Sequence, residues 1–255
     1  MRYPNGTVDS RFLTTTPIQY DGDNEHATGF YFQYDQNPHL VTNKHVLNTR
    51  SINGKPLEKI RIRTRPNPKA ITETKHHDIR LIDDEGTPYW HSHPEDPTVD
   101  IAVVPLTSPV TDDEFSIEEV ATDFLELDTL PQDDELIVGG RSIVLFGYPI
   151  RAYEPYYPVA RDGLISSPYG PPNKEKPLFV TDARTHGGLS GAPVFTHPSA
   201  IQSTHDRGFE ALSPRKAYYL IGVHSNTNLS AGPVDSLDLN DAWYSTLLID
   251  ILESI

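Results

Sequence analysis

The stretch Thr185-His186-Gly187-Gly188-Leu189-Ser190-Gly191-Ala192-Pro193-Val194-Phe195 decides how the rest of the chain is read. A serine sits between glycines and is followed by Ala-Pro and the start of an apolar run. Glycine permits tight turns and positive φ, so such a loop can expose one hydroxyl and aim neighbouring backbone N–H groups at a common point. An acyl-transfer nucleophile needs that geometry, with its oxyanion hole built from the same loop. Gly-x-Ser-Gly alone is also the composition of an ordinary turn. Its meaning depends on whether the chain supplies a base and an acid.

The 255 residues, 36% hydrophobic and 22% charged, can bury a substantial core. No apolar run approaches the roughly 18–20 residues of a membrane span. The N-terminal residues lack the apolar centre of a signal peptide. With no cysteine, disulfides, thiolate nucleophiles and Cys-ligated zinc are excluded, and the simplest compartment is the cytoplasm. A net charge of −15 repels phosphate backbones and anionic lipid, so neither nucleic acid nor membrane is an expected partner.

Twenty-three prolines punctuate short apolar runs, the pattern of many strands joined by irregular loops. Strands are expected over residues 13–20 and 27–33, the second leading through a polar turn at 34–38 into 40–42. One helical turn at 43–47 then presents His45. Further strands are expected over 57–63, where Ile60 and Ile62 share a face, over 78–82 and over 99–106, with a polar loop at 88–97. The acidic segment 112–128 contains a helix candidate at 116–125 and reads as a bridge between two lobes. Strands at 142–149, 159–166, 178–182, 192–195 and 218–225 follow, with a polar loop or hairpin at 196–216. Trp243, Leu247, Leu248 and Ile251 lie at helical spacing, predicting a helix over 240–255 capped by Asp238 or Asn240.

Three chemical groups occur in the order His45, Asp100, Ser190. Serine acyl transfer needs an imidazole to take the hydroxyl proton and a carboxylate to fix the imidazole tautomer. His45 follows an apolar strand and Asp100 opens one. Asp96 is the rival carboxylate, but no apolar strand follows it directly.

In these residues the chain resembles the chymotrypsin-like (trypsin-like) serine peptidases. The matching pieces are Thr28-Gly29-Phe30, Val41-Thr42-Asn43-Lys44-His45-Val46, Asp100-Ile101-Ala102-Val103 and Gly188-Leu189-Ser190-Gly191-Ala192-Pro193-Val194. The resemblance implies an all-β fold of two packed six-stranded antiparallel β-barrels with a C-terminal α-helix. It forms one peptidase unit: residues 1–110 a barrel carrying His45 and Asp100, 111–130 a connection, and 131–255 a barrel carrying Ser190. It further implies a serine endopeptidase working through an acyl-enzyme, without cofactor or metal, with Gly188 and Ser190 N–H groups as the oxyanion hole. Where many relatives have Asp-Ser-Gly-Gly, this chain has Leu189-Ser190-Gly191-Ala192. The buried partner of a freed N-terminus is therefore missing, and activation by N-terminal cleavage is not expected.

In relatives that cut after Glu or Gln, a threonine five residues before the nucleophile and a histidine on the following apolar strand line the specificity pocket. Those positions are Thr185 and His224 here, with Ser225 beside them and Arg184 able to add positive charge. The expected substrate is a protein or peptide with Glu or Gln before the scissile bond. The expected range is narrow, with room for a partner protein that presents the substrate.

Two other readings compete. A silenced peptidase fold used for binding would have no need of all three residues. An α/β-hydrolase would want Gly-x-Ser-x-Gly, but position 192 is alanine, and it would place acid and base after the serine. His76-His77 and His91-Ser92-His93 invite a metal, yet no further ligand set accompanies them.

Overall fold

The first half of the chain folds into one antiparallel sheet, whose central strands are buried almost throughout and whose segments Lys59–Thr64 and Lys75–Arg80 alternate buried and outward side chains. The computed structural model describes residues 9–20, 25–49, 54–66, 72–111, 124–132, 137–149, 157–197, 201–204, 208–211, 218–225 and 239–255. The strands of this sheet are β1 (Thr15–Tyr20), β2 (Glu25–Tyr34), β3 (Asn37–Thr42), β4 (Lys59–Thr64), β5 (Lys75–Arg80), β6 (His91–Ser92) and β7 (Ala102–Pro105). Their spatial order is β5-β4-β1-β2-β3-β7-β6. In β4, Ile60 and Ile62 are buried while Lys59 and Arg61 are exposed, as their alternation predicts. Asp35 and Gln36 join β2 to β3 with φ of 47° and 64°, the two positive values a type I′ hairpin turn requires.

The second half gives a six-stranded sheet, ordered β10-β15-β14-β11-β8-β9. It comprises β8 (Ser142–Gly147), β9 (Val159–Leu164), β10 (Leu178–Thr181), β11 (Pro193–Thr196), β14 (Leu220–Ser225) and β15 (Asn240–Tyr244). A separate hairpin of β12 (Ile201–Thr204) and β13 (Gly208–Ala211) extends the segment between β11 and β14. Two short α-helices, α1 (Lys44–Leu47) and α2 (Leu247–Leu252), and two 3-10 turns, Ser10–Phe12 and Leu127–Thr129, complete the regular elements among the described residues. Neither α-helix is long and apolar enough to cross a membrane.

The fold is therefore mostly β, two curled antiparallel sheets with a C-terminal helix, as expected. Three details differ. The first sheet has seven strands rather than six, because His91 and Ser92 of the polar loop pair with Val103 and Ala102. The helix expected over 240–255 is only its last part. Residues 240–244 form β15 between β10 and β14, where both edges offer unpaired backbone groups, and pairing overrides the helical spacing. Asn240 is thus a strand residue, not a cap, and Asp238 lies outside the described residues. The helix expected over 116–125 lies outside the described residues except at its end, where Leu125 is extended and bridges Phe32.

Each sheet curls around its own apolar cluster: Ile18, Leu40, Ile60, Ile62 and Val104 in the first, Ile143, Leu145, Phe179 and Ile221 in the second. A third cluster joins them, packing Phe30, Val41, Ile101 and Val103 against Phe146, Phe195, Val223, Trp243 and Leu248. The candidate catalytic residues lie at the rim of this shared core.

Candidate active site

His45 stands on the single turn of α1, directly after β3. Asn43 precedes it without making a side-chain cap; its Nδ2 donates instead to the Asp100 carbonyl at 2.7 Å. The Lys44 ammonium donates to the Pro97 carbonyl at 3.0 Å. The turn is therefore held against the segment leading into β7, and that segment carries Asp100. Val99 and Ile101 are buried in the shared core on either side of Asp100, which fixes its position at the rim.

Asp100 binds His45 twice. The His45 backbone N–H donates to Oδ1 at 2.8 Å, and ring Nδ1 lies 2.7 Å from Oδ2. An ionised carboxylate only accepts, so Nδ1 carries the proton and Nε2 keeps its lone pair. The histidine side chain is 50% exposed and the aspartate 21%, leaving the imidazole open to an incoming substrate. Asp96, the rival carboxylate, is bound instead to the hydroxyl and backbone N–H of Thr98, which hold it below the usual carboxylate range.

Ser190 reaches the same crossing from the second sheet. Its carbonyl accepts from Thr28 N–H at 2.9 Å, and Gly191 N–H donates to the His224 carbonyl at 2.9 Å. Gly191 has φ of +84°, and a Cβ there would collide with Thr28 O and Thr42 Oγ1. Only glycine lets the loop lie this close to β2 and β3. Upstream, Leu189 N–H donates to the His186 carbonyl at 3.3 Å with Gly188 at φ +96°, a type II turn whose third position requires positive φ. Among the described residues, the N–H groups of Gly188 and Ser190 donate to no protein acceptor, and no hydrogen bond joins Ser190 Oγ to the His45 ring.

The expected substrate-binding residues divide. Thr185 Oγ1 donates to Asn240 Oδ1 at 2.7 Å, and Asn240 Nδ2 donates to the Ala183 carbonyl at 2.8 Å. His224, fully buried, lies opposite Ala242 in the β14–β15 register, two residues from Asn240. Thr185 is thus hydrogen-bonded to β15, the strand that pairs with β14 and its His224. The Ser225 hydroxyl donates to Asp100 Oδ2 at 2.9 Å, so this side chain is engaged with the carboxylate. Arg184 lines an open cleft of about 710 Å³ with Arg161, Asp162, Asp182 and His197. Opposite Ser225 in register lies Asp241, pushed up by burial while Lys174 and Lys176 pull it down.

Sequence reasoning gave Asn43, Thr42 and Asn240 no role in the site. The usable signal was a polar residue inside an apolar strand run, since Thr28, Thr42 and Asn43 are all fully buried. Among the described residues, no group of three or more His, Asp or Glu is arranged to hold a metal.

The trypsin-like peptidase domain, as a family, matches residues 27–199. No match to a curated protein is found. Among solved structures, human heparin binding protein is similar at 13% identity and TM-score 0.56, over 97% of this chain and 93% of that one. AlgW, an HtrA-type protease solved as a variant with a tripeptide, is similar at 15% identity and TM-score 0.55, over 97% and 64%. The serine endoprotease from Yersinia pestis is similar at 13% identity and TM-score 0.54, over 98% and 67%. At these identities the likeness is one of fold. This chain spans about two thirds of the length of those two proteases.

Proposed function

The chain belongs to the trypsin-like peptidase family, and on that premise we propose that it is a serine endopeptidase acting through an acyl-enzyme. The observation that carries the reading is the pair of hydrogen bonds between Asp100 and His45, at 2.8 and 2.7 Å, beside a serine loop hydrogen-bonded to Thr28 on β2. His45 Nε2 takes the proton from Ser190 Oγ as that oxygen attacks the substrate carbonyl. Asp100 holds the imidazole in the required tautomer and stabilises the imidazolium that forms. The unengaged N–H groups of Gly188 and Ser190 take up the oxyanion. The imidazolium then protonates the leaving amine, and water, deprotonated by the same imidazole, releases the acyl group. Ser190 Oγ must close on Nε2 when substrate binds, a tightening common to catalytic hydrogen bonds that are long without ligand.

The specificity proposed is for Glu or Gln before the scissile bond, resting on Thr185, hydrogen-bonded to Asn240 of β15, and on His224 of the neighbouring β14. The substrate range proposed is narrow, so purified protein should leave unfolded casein largely intact. A fluorophosphonate probe tests the chemistry. It should label Ser190 in the folded protein, with labelling abolished in Ser190→Ala and reduced about 10⁴-fold or more in His45→Ala. A folded wild-type protein that is neither labelled nor able to cleave any member of a peptide library overturns the reading in favour of a binding module.

A further inference from the structure

We infer that Thr28, on β2 of the first sheet, is a positioning residue that sets the oxyanion hole of the second. The inference rests on the peptidase reading and goes beyond its triad. Thr28 is fully buried, yet every polar atom it owns is engaged. Its hydroxyl donates to the Gly188 carbonyl at 2.7 Å and accepts from Tyr148 N–H at 2.9 Å. Its N–H donates to the Ser190 carbonyl at 2.9 Å, and its carbonyl accepts from Thr42 Oγ1 at 2.8 Å.

The Gly188–Leu189 peptide is the link between the two N–H groups assigned to the oxyanion. It is held at both ends: Leu189 N–H donates to the His186 carbonyl, and the Gly188 carbonyl accepts from Thr28. Gly188, at φ +96°, has no side chain to restrict it, so its backbone can rotate between turn forms unless something outside the loop holds the peptide. Thr28 is that hold. A hydroxyl has one proton to give, and here it goes to Gly188; the Tyr148 N–H at its lone pair fixes which way the proton points. The same residue grips Ser190 through the backbone, so the loop is fastened on both sides of Leu189. Substrate-independent placement of donors is what makes an oxyanion hole effective, since they need not reorganise during reaction.

The test uses the full chain and a fluorophosphonate, whose adduct on Ser190 directs an oxygen at the same N–H groups. Thr28→Val keeps shape and removes the hydroxyl; Thr28→Ser keeps the hydroxyl. The second-order labelling rate should fall ten- to a hundredfold in Thr28→Val and stay within threefold of wild type in Thr28→Ser. The pH profile of labelling should keep its midpoint in both, because the His45–Asp100 pair is untouched. Should Thr28→Val not fold, Thr28→Cys replaces it: its thiol preserves volume but donates weakly, and at least a fivefold fall is expected. A structural role alone would lower the unfolding temperature while leaving the labelling rate unchanged, and that result overturns the inference. So does a shifted pH midpoint. Failure of wild type itself to label would instead remove the peptidase reading, a separate outcome.

Discussion

Ser225 shows how much a single contact can redirect a reading. Its place next to His224 suggested a role at the substrate, but its hydroxyl meets Asp100 Oδ2, the oxygen that also faces His45 Nδ1. The partners are 125 residues apart, so nothing local in the chain marks the pair. Replacing Ser225 with alanine should lower kcat about tenfold, equivalent to ~1.4 kcal/mol of transition-state stabilisation, with KM within twofold. A changed KM at constant kcat would return Ser225 to the substrate. His45, Asp100 and Ser190 were legible because each flanks an apolar run, His45 after one and Asp100 and Ser190 before one, where a strand end leaves a polar group at the rim. Thr185 was legible as a position but not as a state. With Asn240 Nδ2 committed to Ala183 O, Asn240 Oδ1 faces Thr185, and the hydroxyl proton is spent there. What Thr185 offers a substrate is a lone pair, which suits the N–H of a carboxamide and not a carboxylate. Matched peptides should therefore be cleaved at least tenfold faster with Gln than with Glu before the bond. Asn240→Ala, which frees the proton, should narrow that ratio.

Strands were easier to place than their neighbours. β4 declares itself by alternation, and α1 by its position after β3, but β15 and α2 share one apolar stretch in which two periods overlap. Trp243, Leu247 and Ile251 fit a helix; the backbone of 240–244 goes to the sheet because β10 and β14 flank it with matching registers. What remains for α2 is six residues with Leu248, Ile251 and Leu252 buried in the core shared by both sheets. A helix this short has little intrinsic stability, so packing holds it. Leu248, fully buried, should cost about 2–5 kcal/mol on truncation to alanine, read as a lower urea midpoint at unchanged slope. Leu247, only partly buried, should cost less than half as much. Equal losses at the two positions would mean that α2 is not docked as described.

On the scale of the whole molecule, the order His45, Asp100, Ser190 across two sheets was legible from the chain, but the junction between the sheets was not. It is made of contacts such as Thr28–Gly188 and Asp100–Ser225, whose partners lie far apart in sequence. Stability of the assembled molecule should also respond to mild acid. His39 on β3 is held below its ordinary value of 6.5 by burial and by the neighbouring His91, and His91 is lowered by burial as well. A histidine whose folded value is depressed stays neutral in the native state while the unfolded chain takes up the proton. Above pH 6.5 neither state binds it and the group is silent. Below 6.5 the unfolded state binds more protons, so stability falls as pH drops until the folded value is passed. Asp9, raised by burial but lowered more by Arg11, and Asp78, lowered by Arg61, come into play only below about 3.8, while Asp241, raised by burial, opposes the decline as it takes up its proton. Unfolding free energies from urea titrations should therefore decline from pH 7.5 to 5 by at most about 1.4 kcal/mol per pH unit per histidine. His39→Gln should flatten that decline while lowering stability at pH 7.5, because the substituted amide still has to be buried. A slope identical to wild type would place the acid sensitivity elsewhere than at this buried histidine.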